Sequence, residues 1–309
     1  VSASRLLNPA QEKILAQLQP GDAGRPSFDA DLADNLRAEA NAALGDLIPD
    51  LDPFDPMFVS KHQLSSVLGC QVRFLGEEDL GFAWSVPMAR GSVAHKALEL
   101  SNFMPEASPI ELVNQALTSL VDTEQSIGDF LASLSELESA ELRGLALDSV
   151  SAFFEGFPPL KPKWRPNFES RRRVELLDGR LVWSAKFDLT LGQSRGLEAG
   201  KAIIDFKTGG TNQNHVDDLR FYALVETLRF QVPPRLVASY YLDSGELAVE
   251  EVTVAVLEAA LARALHGTRE VFGLLAGVVE PRLAPSRACR WCPLLAQCQA
   301  GREFLAEVT

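Results

Sequence analysis

The sequence is short of cysteine, of positive charge and of long apolar runs, and each shortage excludes something. Cysteine occurs four times in 309 residues, at Cys70, Cys289, Cys292 and Cys298, too sparsely for a disulfide framework, so these residues read as ligands or free thiols. Lysine and arginine number 29 against 42 aspartates and glutamates, a formal net charge of −13. That balance argues against a protein that coats nucleic acid nonspecifically, because such proteins are basic. No stretch approaches the roughly eighteen apolar residues of a membrane span. The opening VSASRLLNPAQEK lacks a basic region followed by a long apolar run, so it does not read as an export signal, and the protein is expected in the cytoplasm, with no membrane partner. A GxxxxGK phosphate loop is missing, so no ATP motor is expected. Internal repeats and low-complexity tracts are also missing.

What is present suffices for a sizeable core: 46% of residues are hydrophobic. PAQEKILAQLQ and DADLADNLRAEANAAL have helical apolar spacing, and DLDPFDPM then breaks it. KHQLSSVLGCQVRFL reads as a helix carrying Cys70. ARGSVAHKALELS reads as another, starting near Gly91 with Ser92 as N-cap. Pro109 to about Phe157 is mostly helical, and PPLKPKWRP ends it. RRRVELL, Asp178–Gly179 and RLVWSAKFDLTL form a hairpin signature. KAIIDFK is a short strand, NHVDDLRFYALVETLRF a helix, and RLVASYYL, DSGE and LAVEEVTV two more strands around a turn. LEAALARALHGTREVFGLLAG is a long helix, and the cysteine-rich end is irregular. The expected class is α/β with an α+β-like element order, a central mixed sheet flanked by helices. Residues 1–60 form a helical appendage and residues 61–309 one domain. That domain has a helical insert at about 105–160 and a cysteine-bearing segment at 289–298.

Charge is uneven. Lys161, Lys163, Arg165, Arg171, Arg172 and Arg173 crowd one stretch, which is either a solvated strand edge or a strip that contacts phosphates. Strand alternation places Lys186 and Asp188 on one face of their strand, and Asp205 and Lys207 on one face of theirs. Charged residues on a buried strand need a partner. A divalent cation, Mn2+ or Mg2+, would take Asp188 and Asp205 as hard oxygen ligands. Lys207 could then act on the attacking water or on transition-state charge. Equally, Asp205 and Lys207 could be a simple ion pair at a strand end, and spacing alone does not separate the two.

The pattern FD-(x)16-DFKTG resembles the core of the PD-(D/E)XK nuclease superfamily, in its RecB-like exonuclease branch. The resemblance implies a restriction-endonuclease-like core and assigns Asp188, Asp205 and Lys207 to the active site. GSVAHKALE, Gly91 to Glu99, is similar to the family's Gly-x-x-x-His-x-x-Leu-Glu helix, which makes His95 a further metal ligand. Tyr222 matches the tyrosine of a Gln-x-x-x-Tyr element, whereas Asp218 stands where glutamine is usual and Lys186 where a different residue is usual.

The spacing C-x2-C-x5-C plus Cys70 supplies four soft thiolates, suited to zinc or an iron–sulfur centre. Its split is similar to the cluster-bearing AddB-type repair nucleases and CRISPR adaptation nucleases. The resemblance therefore implies a 4Fe-4S cluster on Cys70, Cys289, Cys292 and Cys298 that staples the C-terminal segment to the fold. The implied function is metal-dependent hydrolysis of DNA, single-stranded or at free ends, in repair or foreign-DNA processing, with a helicase or repair protein as possible partner. A nuclease fold kept only for DNA or protein binding, and cleavage of RNA, remain as alternatives.

Overall fold

The computed structural model describes residues 6–21, 24–81, 84–212 and 214–308. The first five residues, on which part of the export-signal reading falls, lie outside the described residues. Six strands form a mixed sheet: β1 (Met57–Ser60), β2 (Asn167–Leu176), β3 (Leu181–Leu191), β4 (Ala202–Lys207), β5 (Leu236–Tyr241) and β6 (Glu246–Glu251). Their order is β1-β3-β4-β5-β6, with β2 paired to β3. β1 runs parallel to β3 and β5 parallel to β4, whereas β3–β4 and β5–β6 are antiparallel. With helices before, between and after the strands, this is the expected α/β arrangement.

The chain divides into two units, and β2 and β3 each contribute residues to both. One unit comprises Val1–Ala30, Trp84–Arg171 and Lys186–Val252; the other comprises Asp31–Ala83, Arg172–Ala185 and Thr253–Thr309.

The first unit contains α1 (Pro9–Leu18), α5 (Val86–Ser101), α6 (Pro109–Thr123), α7 (Gln125–Ser133), α8 (Glu136–Gly156) and α9 (Asn214–Phe230), with β4, β5 and β6. Its core joins small residues of α5, namely Ala89, Val93, Ala94 and Ala97, to Ile204 and Phe206 of β4 and to Ala238 and Tyr240 of β5. Helix α5 begins earlier than its sequence suggests, because Pro87 is tolerated in a first turn where its missing N–H would go unpaired anyway. Gly91 and Ser92 are therefore interior. Gly91 lets the helix pass close to the end of β4, since a Cβ there would sit 3.2 Å from Thr208 Oγ1.

Tyr240 is fully buried, and its hydroxyl has no protein hydrogen-bond partner among the described residues. Burial pushes its phenol up to about 12. An unsatisfied buried hydroxyl is a liability of roughly 1–3 kcal/mol. Tyr240→Phe should therefore melt at or above the wild-type temperature. A clear drop in urea stability would show that the hydroxyl is satisfied.

The second unit contains α2 (Leu32–Leu44), α3 (Lys61–Leu68), α4 (Gln71–Leu80), α10 (Val254–Leu275) and α11 (Gln299–Glu307), with β1. The expected single helix around Cys70 is broken into α3 and α4. Gly69 takes a non-helical backbone, and Cys70 caps α4 in an extended conformation. Burial alone would push the Glu77 carboxyl up, but His62, Ser66 and Arg73 outweigh it and hold the group at about 2. A carboxyl depressed on folding adds stability that is complete above its unfolded value and is lost as pH falls through the folded one. Here that window runs from about pH 5 down to about pH 2. Glu77→Gln should lower stability at pH 7 by roughly 2 kcal/mol and flatten this acid limb, as measured by denaturant unfolding at pH 7 and pH 3.

Candidate functional site

Four pieces of chain meet at the end of β4. Strands β3 and β4 pair from Leu191↔Ala202 to Leu189↔Ile204. One residue further, the Phe206 N–H donates to Asp188 Oδ2 at 2.7 Å, so a carboxylate stands where a ladder carbonyl would. This holds Asp188, 7% exposed, in one orientation. Helix α5 brings His95 above it. His95 Nε2 lies 3.1 Å from the Phe206 carbonyl, which can only accept, so Nε2 carries the proton. Nδ1 is then the nitrogen that faces the carboxylates, 3.3 Å from Asp188 Oδ1 and 4.0 Å from Glu169 Oε1. The Phe206 ring stands edge-on to the imidazole at 6.0 Å and helps fix its plane.

His95, Glu169 and Asp188 offer ligand atoms that all lie within 4.8 Å of one another, the only such group of three or more among the described residues. One imidazole and two carboxylates suit a single divalent cation. The electrostatics agree with a site that wants positive charge. Burial would pull the His95 imidazole down, but Asp188, Glu169 and Asp205 together hold it above its ordinary value. Burial, and next the Asp188 charge, raise the Glu169 carboxyl, while Lys186 and His95 pull it back only in part.

Glu169 escaped the sequence reading. It lies in β2 with φ +50, a left-handed backbone that breaks the strand's alternation. A hint was available: it is the one acidic residue between Lys161 and Arg173. Lys186 of β3 is ion-paired with it.

Asp205, 1% exposed, lies outside the group of three. Its carboxylate takes the Lys207 ammonium at 2.6 Å, and Asp218 approaches that ammonium at 4.0 Å. Tyr222 is buried on α9 with its ring 4.9 Å from Phe187. In the basic stretch, Lys161, Lys163, Arg165, Arg171 and Arg173 are exposed.

The iron–sulfur expectation is corrected. Among the described residues, Cys70, Cys289, Cys292 and Cys298 form no group of three sulfurs in common reach of a metal; the donor group found is His95, Glu169 and Asp188. The thiols are free, and three accept nearby backbone N–H groups: Ala284 to Cys70, Ser286 to Cys289 and Gly301 to Cys298. Burial pushes the Cys292 thiol up. Ordinary contacts hold the C-terminal segment instead. Gln71 and Arg282 exchange hydrogen bonds of 3.0 and 2.8 Å, and Leu294 fills the space over Gly76.

No helix among the described residues is long and apolar enough to cross a membrane. No curated protein matches the sequence. Two solved structures align over most of their length. One is a protein from Eubacterium rectale assigned as an exonuclease, 13% identical, with a TM-score of 0.45, over 90% of this chain and 93% of that one. The other is SSO0001, 15% identical, with a TM-score of 0.35, over 87% and 96% respectively. At these values neither likeness bears on activity. The profile of the PD-(D/E)XK nuclease superfamily matches residues 59–299, which take in the end of β1, strands β2 to β6 and every site residue above, and the chain belongs to that superfamily.

Proposed function

We propose that the protein is a metal-dependent deoxyribonuclease, and that it cleaves DNA at single-stranded regions or free ends, as the RecB-like branch does. The observation that carries this reading is the convergence of His95, Glu169 and Asp188 beside the Asp205–Lys207 pair. The donor set fits a hard divalent cation such as Mg2+ or Mn2+. When bound, that cation supplies a polarised phosphoryl oxygen and a more acidic water. The protein's own groups do the rest. The Phe206 carbonyl fixes the His95 tautomer, and the Phe206 N–H fixes Asp188. Asp205, whose charge reaches the His95 ring, is a further carboxylate available to the cation. Lys207 is held by Asp205 with Asp218 behind it, which keeps its ammonium at one place. From there it orients the attacking water or donates to a phosphate oxygen. The exposed basic stretch from Lys161 to Arg173 would offset the overall acidity along the DNA backbone.

The test is a cleavage assay on end-labelled linear and circular DNA, single-stranded and duplex, with RNA alongside, in Mn2+, Mg2+ or EDTA. Cleavage of linear DNA that needs the cation supports the reading. DNA binding without cleavage in either metal would favour a non-catalytic role, and preferential RNA cleavage would change the substrate.

A further inference from the structure

Lys186 has no place in the chemistry above, yet it touches the site. It lies two residues before Asp188 on β3, and its ammonium pairs with Glu169 across the β2–β3 hairpin. The two partners differ in freedom. The Glu169 side chain is 12% exposed, whereas the Lys186 side chain is 50% exposed. Glu169 also sits on a left-handed backbone inside a strand, a conformation that costs a non-glycine residue free energy unless its surroundings hold it. That turn keeps its carboxylate near His95 and Asp188. Something must compensate a half-buried carboxylate beside a buried one. Lys207 is engaged by Asp205 at 2.6 Å, which leaves Lys186 as the lysine paired with this group.

We propose that Lys186 is the built-in counter-ion of the cation site: it holds Glu169 in coordinating position and competes with the divalent cation for it. This rests on the metal-site reading above. A cation bound by Glu169 would meet an ammonium within a few ångströms, and like charges at that range repel by an amount that matters even with generous screening. The lysine is the group that yields, because its long arm reaches water at little cost while the glutamate is enclosed. Lys186 thus trades cation affinity for a stable, pre-shaped site in the metal-free protein.

The inference is tested without nucleic acid, by Mn2+ titration calorimetry and by melting with and without Mn2+. Lys186→Gln should lower the metal-free melting temperature, bind Mn2+ about tenfold more tightly and gain more from it in melting. Lys186→Arg keeps the charge and can grip the carboxylate with two hydrogen bonds, so it should bind Mn2+ no more tightly than wild type. If Lys186→Gln binds Mn2+ as wild type does, or more weakly, Lys186 is not a competitor and the inference fails alone. The same holds if Lys186→Arg binds as tightly as Lys186→Gln. If the wild type takes up no Mn2+, the metal-site reading fails and takes the inference with it.

Discussion

Asp188→Asn should give a folded protein that binds no divalent cation and cleaves DNA at least about a thousandfold more slowly. The substitution separates two jobs of one side chain. Asp188 Oδ2 accepts the Phe206 N–H at 2.7 Å, and an asparagine carbonyl oxygen can accept the same bond. The β3–β4 junction should therefore survive, and the metal-free melting temperature should stay close to wild type. The charge does not survive. A neutral amide is a much poorer ligand for a hard cation, and the His95 ring loses its nearest counter-charge, 3.3 Å away. The check is paired: a Mn2+-induced melting shift, present in wild type and missing in the variant, and single-turnover cleavage of linear DNA. A variant that still melts higher with Mn2+ would place the cation away from Asp188 and would remove the support for the His95–Glu169–Asp188 site.

Lys207→Ala should have the second largest effect, and of a different kind. Turnover should fall by about a hundredfold or more, while the Mn2+-induced melting shift persists. A protonated lysine cannot ligate a cation, so its contribution lies with the water and the phosphate. The variant should also lose about 2 kcal/mol of metal-free stability, because the Asp205 carboxylate, 2% exposed, gives up an ammonium at 2.6 Å. Divalent cation should restore part of that loss, since it brings positive charge back to the cluster. Near-normal turnover would move the proton-handling role elsewhere. Unchanged metal-free stability would mean that other donors already satisfy Asp205.

The two kinds of site residue differ in how visible they were. His95, Asp188, Asp205 and Lys207 stand in elements whose periodicity is local: a helix with apolar spacing and two strands with alternation. Their neighbours in sequence announce which way each should point. Glu169 has no such frame, because its left-handed backbone makes alternation assign it to the wrong side. The cysteines show the opposite failure. C-x2-C-x5-C plus Cys70 looked complete as a ligand list, but spacing says nothing about whether four sulfurs aim at one point. In the structure no three of their sulfurs come within one metal ion's reach, and hydrogen bonds and packing hold the segment.

The sequence by itself determined the class of fold and the superfamily, because strand alternation, helical periodicity and the DFKTG strand are properties of contiguous residues. It also determined that Asp205 and Lys207 lie two apart on one face of β4. The tertiary structure alone decided which donors share a cation's reach and which lysine serves which carboxylate. Lys186 is bound to Glu169 because β2 lies on β3, and His95 reaches Asp188 because α5 crosses the end of β4. Those approaches depend on residues far apart in the chain and on one strained backbone position, and electrostatic partnership falls off within a few ångströms, a distance that sequence spacing does not encode.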